Sequence, residues 1–290
     1  MGRIRPWLTC LALIASALPV RAEPIKVVAS FSILGDLVRN VGGSSVDVTT
    51  LVGPDSDAHV YSPTPADAKK IADARLIVVN GLGFEGWLPR LIKSSSSKAK
   101  IVTASDGIAP LRLGSDADPH AWQSVGNAKA YVGNIRTALS AADPSGAEQY
   151  RANAEVYLAK LDALDREVRD AIAKLPSERR KVISTHNAFG YFAASYGIEF
   201  IAPLGVSTES EPSARDIAKI ITQVKQAKIP AVFLENVSDP RLMQRISAET
   251  GAKVGGTLYS DGLTGEKGDV PTYIDMVRHN IKALTRALGD

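Results

Sequence analysis

The chain has 290 residues, of which 45% are hydrophobic and 22% charged, with a formal net charge of +3 at pH 7. The first 22 residues hold three arginines and no acid, which leaves 31 basic against 31 acidic side chains beyond them. The apparent basicity therefore gives no argument for nucleic acid or an anionic membrane as partner. Cys10 is the only cysteine, so residues 23–290 have no side chain for a disulfide or a thiolate metal site.

From the N-terminus, Arg3 and Arg5 precede an apolar run from Trp7 to Val20, followed by Val20-Arg21-Ala22. This is the layout of a secretory signal peptide over 1–22, and its apolar core is too short for a membrane span. A lipid-anchored protein would carry its cysteine at the cleavage point. Cys10 stands in front of it, so the expectation is a periplasmic protein without a lipid anchor.

Short β-branched runs then alternate with helical patterns, which predicts an α/β fold with mostly parallel sheets. Strands are expected at 25–29, 46–52, 76–80 and 101–104, and again at 181–185, 199–202, 231–235 and 252–258. Thr64-Pro65 marks one helix start, with proline at the first helical position. Between the two groups of strands, Tyr150, Ala154, Tyr157, Leu161, Leu164, Val168, Ile172 and Leu175 recur at steps of three and four. That is one apolar stripe on a long helix. The expected organisation is a lobe at 23–143, a linking helix at 144–176 and a second lobe at 177–290. The helix is expected to be a rigid strut that limits how far the lobes separate.

Three of the four histidines occupy the same kind of place. His59 follows the second expected strand, His120 lies in the loop after the fourth, and His186 ends the first strand of the second group. Parallel α/β sheets bind ligands beyond the carboxyl ends of their strands. Asp261, just past the last expected strand, shares that edge. Three neutral imidazoles and one carboxylate make a tetrahedral shell suited to zinc. Taken singly, each residue has a plainer reading: a solvated loop histidine, a turn residue, a helix-start histidine and a turn cap. Their joint placement on one edge favours a metal. His279, on the terminal helix, reads as a surface side chain. Glu235 ends a strand and is a candidate partner for a ligand imidazole, or equally a helix-start carboxylate. Glu209 and Glu211 are weaker candidates in a loop, and Trp87 reads as packing.

DAHVYSPTP, DPHAW, STHNAFGYF, LYSD and FLENVSDPRL together resemble the motifs of the cluster A-I metal receptors of bacterial ABC importers. The nearest likeness is to the AztC-type zinc receptors. The resemblance covers nearly all of the chain after residue 22 and implies two (β/α)4 lobes joined by one long helix. It implies His59, His120, His186 and Asp261 as the ligands of one transported ion, expected to be Zn²⁺ rather than Mn²⁺. It implies an inner-membrane permease as partner and a monomeric receptor, with a periplasmic zinc chaperone left open. Two departures are informative. The segment Gly114–Pro119 lacks the histidine-rich loop of some zinc members, and His186 stands where manganese members often have a carboxylate. The alternatives are a manganese receptor on the same scaffold and a secreted zinc hydrolase with Glu209, Glu211 or Glu235 as base. No HExxH-type motif supports the hydrolase.

Overall fold

The computed structural model describes residues 23–289. The signal-peptide reading falls on residues 1–22 and lies outside them. Two four-stranded parallel sheets form the two lobes. The first contains β1 (Ile25–Phe31), β2 (Val46–Val52), β3 (Leu76–Val79) and β4 (Lys100–Thr103), in the order β2-β1-β3-β4. A two-residue hairpin, β5 (Arg112–Leu113) with β6 (Asp116–Ala117), fills the loop after β4. The second sheet contains β7 (Lys181–Ile183), β8 (Glu199–Ile201), β9 (Ala231–Glu235) and β10 (Lys253–Leu258), in the order β10-β9-β7-β8. Renumbered within its own lobe, this is the same order as the first. Each expected strand is present, β2 and β9 at the expected bounds and the others with ends shifted by one or two residues.

Helices α1 (Ser32–Gly42), α2 (Pro65–Asp73), α3 (Leu88–Ser95) and α4 (Val125–Ala142) belong to the first half. Helices α6 (Gly190–Tyr196), α7 (Ala214–Ala227), α8 (Arg241–Thr250) and α9 (Tyr273–Gly289) belong to the second. Between them runs α5 (Ala147–Ala173), 27 residues and so about 40 Å long. Its buried residues are Tyr150, Ala154, Tyr157, Leu161, Leu164, Val168 and Ile172, the stripe read from the sequence apart from Leu175, which is buried just past the helix end. That stripe packs against α1 and α4 on one side and α6 and α9 on the other.

Strand alternation explains how the core is divided. Val27, Ala29 and Phe31 face the α5 side while Val28 faces away, and Val182, Ala231 and Phe233 face it while Ile183 and Val232 turn outward. The outward sets form a separate small core on each lobe. The inward sets join with α5 and α9 into one apolar cluster running from Val27 to Leu288. The lobes therefore share a core, and all eight strands end toward the seam between them.

Candidate metal centre

Each candidate side chain follows a strand end and is held by local chemistry. After β2, the chain turns at Pro54-Asp55 and continues to Thr64, which caps α2 in a reciprocal box with Asp67. Burial pushes the Asp67 carboxyl up, but hydrogen bonds from Lys70, Thr64 and Tyr61 outweigh it and hold it below the usual range. Within this anchored loop, the His59 backbone N–H donates to Asp57 Oδ1 at 2.8 Å, and Trp87 Nε1 donates to the Ala58 carbonyl at 2.8 Å. Trp87 is thus more than packing: it ties the residue before His59 to α3.

His120 follows the hairpin. Asp118 Oδ1 accepts both its backbone N–H at 3.0 Å and its ring Nδ1–H at 2.8 Å. Asn80, at the end of β3, donates to the Pro119 carbonyl at 2.9 Å. Gly190 at the start of α6 lets Asp118 approach, since a Cβ there would lie 2.5 Å from Asp118 Oδ2. Tyr191 next to it donates to the Asp118 carbonyl at 3.0 Å. The second lobe therefore buttresses a histidine of the first.

His186 lies three residues past β7, in the turn before α6. Glu235, at the end of β9, takes the Thr185 and His186 backbone N–H groups on Oε1 at 2.8 and 3.2 Å. Its Oε2 accepts from His186 Nδ1 at 2.5 Å and from the Ser260 hydroxyl at 3.2 Å. The Ser260 carbonyl, one residue before Asp261, accepts from Trp122 Nε1 at 2.9 Å and Gln123 Nε2 at 2.7 Å, both from the first lobe.

These anchors bring all four sequence candidates together. One ligand-type atom from each of His59, His120, His186 and Asp261 lies within 4.8 Å of every other. His120 Nε2 is 3.2 Å from His59 Nε2 and 3.3 Å from His186 Nε2. Asp261 oxygens lie 3.5, 3.5 and 3.1 Å from the Nε2 atoms of His59, His120 and His186. His120, His186 and Asp261 are fully buried and His59 is 7% exposed. Phe84, Phe31 and Trp122 wall the centre, with Phe84 edge-on to His59 at 4.7 Å.

The electrostatics call for a cation. The carboxylates at Nδ1 of His120 and His186 fix tautomers that turn Nε2 lone pairs inward. Neither Asp261 oxygen accepts a well-formed hydrogen bond, although both are buried. An orphaned buried carboxylate facing imidazole lone pairs is costly without a positive charge between them. Burial pushes His120 down as a base. Burial also opposes a charge on His186, but Glu235 and Asp261 outweigh it and raise His186 well above the ordinary histidine value. Burial pushes Asp261 up, yet the charges of His186 and His120 hold it well below the ordinary carboxylate range.

Other candidates fall elsewhere. Glu209 and Glu211 are exposed on the loop before α7, outside the four-residue cluster. His279 is half-buried rather than free surface: Nε2 donates to the Thr257 carbonyl at 3.0 Å and the ring meets Tyr259 edge-on. Sequence reasoning missed Asp118, whose signal was its place two residues before His120. It also missed Asn80, for which no local signal exists.

Residues 27–287 match the family described as ZnuA, zinc-uptake complex component A, periplasmic. The chain belongs to the ZnuA family. It is 36% identical over 272 residues to the iron-binding protein YfeA of Yersinia pestis, covering 92% of this chain and 88% of that one. It is 37% identical over 269 residues to the manganese-binding lipoprotein MntA of Halalkalibacterium halodurans, covering 92% and 89%. Among solved structures, the periplasmic zinc-binding protein TroA of Treponema pallidum superposes with a TM-score of 0.88 at 31% identity, over 92% of this chain and 99% of that one. The ZnuA-family chain is an extracytoplasmic metal-binding receptor of an ABC importer, not an enzyme, and a membrane permease is its partner.

Proposed function

We propose that the transported ion is Zn²⁺, bound by His59, His120, His186 and Asp261 at the seam of the lobes and passed to the membrane permease. The observation that carries this reading is the spacing of the donors. A tetrahedral shell with bonds of about 2.0–2.1 Å separates its ligand atoms by about 3.3–3.4 Å. The imidazole nitrogens stand 3.2 and 3.3 Å apart and the nitrogen–oxygen distances are 3.1–3.5 Å. Three nitrogens against one carboxylate also favour zinc over manganese or iron(II) on intrinsic affinity. A manganese reading draws on a different feature: both Asp261 oxygens face the imidazoles, so a bidentate grasp would raise the coordination number.

Elemental analysis of protein taken from its native compartment, followed by zinc–manganese competition against a chelator, tests the choice. One zinc per chain that excess manganese does not displace is the expected result. Manganese retained at equimolar zinc would overturn it. We further take residues 144–176 as the strut between lobes 23–143 and 177–290, with release through local loop movement rather than wide opening. The shared apolar core supports this reading. Matching scattering profiles with and without zinc are expected, and a large increase in radius on zinc removal would refute it.

A further inference from the structure

Glu85, in the turn after β3, is a buried carboxylate with no part in the contacts described so far. Ser30 Oγ, at the end of β1, donates to its Oε1 at 2.6 Å. The Asn80 N–H donates to the same oxygen at 2.6 Å, and the Gly81 N–H to Oε2 at 3.2 Å. The pairing of β3 with β4 ends at Val79, so these two N–H groups lie past the ladder, and Glu85 is what satisfies them. Gly81 stands at φ +85°, where the chain leaves the sheet. β9 holds the same place in the second sheet as β3 in the first, and Glu235 at its end likewise gathers two backbone N–H groups and a serine hydroxyl. Glu235 also touches its histidine, whereas Glu85 reaches the centre at one remove.

The turn that Glu85 clasps supports both histidines of the first lobe. Asn80 is fully buried; the Tyr131 hydroxyl donates to its Oδ1, which leaves Nδ2 aimed at the Pro119 carbonyl, the residue before His120. Phe84, whose N–H donates to the Gly81 carbonyl at 3.1 Å, stands edge-on to His59 at 4.7 Å and to His120 at 6.1 Å. We propose that Glu85 is a positioning residue for metal binding, which by clasping the Asn80–Phe84 turn sets where His59 and His120 stand relative to His186 and Asp261. Donors of a metal centre must be held to within about 0.5 Å of their working geometry, so a loosened turn shifts two of the four at once. Glutamine at this position keeps one acceptor oxygen but sets an NH₂ against a backbone N–H. The inference rests on the four-ligand centre of the proposed function, not on which ion fills it.

The experiment loads the full chain with Co²⁺, whose d–d absorption reports coordination geometry. Glu85→Gln should weaken Co²⁺ binding about tenfold and shift the d–d bands, while the metal-free variant still unfolds cooperatively. A merely structural role would lower the unfolding temperature and leave affinity and bands unchanged, and that result in the folded variant overturns the proposal. Asn80→Ala should weaken binding similarly. Because Glu85 acts through the turn, the double variant should fall at least threefold short of the product of the two losses, and the full product also overturns it. If Glu85→Gln does not fold, Ser30→Ala, which removes one donor to the carboxylate, takes its place; at least twofold weaker binding with shifted bands is expected, and parent-like behaviour overturns the proposal. A parent chain without tetrahedral Co²⁺ bands strikes the four-ligand reading instead. The ring ¹⁵N shifts of His120 in metal-free parent and variant then decide, with equal shifts overturning the role of Glu85.

Discussion

Glu235→Gln separates the orientation of a ligand from its identity. Glu235 accepts four hydrogen bonds: two backbone N–H groups on Oε1, and His186 Nδ1 and the Ser260 hydroxyl on Oε2. Glutamine keeps one oxygen for the backbone groups but sets an NH₂ against Nδ1. Two N–H groups cannot face each other, so the proton moves to Nε2 and points into the centre where the ion must sit. Binding then requires the imidazole to revert, against an unsatisfied donor pair buried in a dry site. The variant also removes one negative charge close to a doubly charged ion, so both effects have the same sign. Loss of such an outer partner costs about 10–100-fold in affinity, or about 1.4–2.7 kcal/mol. Chelator competition measures it, and thermal unfolding of the zinc-free protein confirms that the fold persists. A folded Glu235→Gln chain whose affinity stays within about threefold of the parent would refute this account of tautomer control.

Zinc affinity should fall as the pH drops, because a ligand imidazole must be neutral to bind and the ordinary histidine value is about 6.5; chelator competition between about pH 7.5 and 5 measures it, and a flat affinity would contradict it. Asp36, on α1, is pushed up to about 6 by burial, opposed by the Tyr273 backbone N–H, Arg39 and Asn40. Because its folded value is raised, its stabilising contribution is full below pH 3.8 and lost as pH rises through about 6, a difference of up to about 3 kcal/mol. The stability gap between Asp36→Asn and the parent should therefore move in the variant's favour from pH 4.5 to pH 7 and flatten above, as read by urea unfolding of zinc-free protein; a constant gap would refute it. His120→Ala should weaken zinc binding by orders of magnitude. His279→Ala should leave zinc binding unchanged but cost about 1 kcal/mol of stability through the lost bond to the Thr257 carbonyl, and an altered zinc affinity in that variant would tie α9 to the centre.

Periodicity carried most of the architecture, because the central strands β1, β3, β7 and β9 are short, β-branched and largely buried on both faces, and because the α5 stripe faces both lobes. The pattern failed where an element was too short to have a period, as in the two-residue strands Arg112–Leu113 and Asp116–Ala117. It failed again for His279, whose position on a helix says nothing about the carbonyl it meets on β10. The strand ends placed His59, His120, His186 and Asp261 on one edge, while their roles came from resemblance to a family. What no local pattern could reveal is the scaffold that makes them converge. Glu235 reaches His186 from 49 residues away, and Trp122 fixes the carbonyl before Asp261 from 138 residues away. The first contact lies within the second lobe, whereas the second joins the two lobes beside the point where the four side chains meet. Moving either lobe would therefore part the donors and break the Trp122 and Gln123 bonds to the Ser260 carbonyl together, in addition to exposing the apolar core around α5. The loop that carries His59 meets the second lobe through polar contacts: Thr208 donates to Asp57 Oδ2, the Asp55 N–H to the Leu263 carbonyl at 2.9 Å, and Asn236 Nδ2 to Asp55 Oδ1 at 3.4 Å. Local opening at those polar contacts exposes less apolar surface than parting the shared core, which is why the proposed release runs through loop movement rather than wide opening.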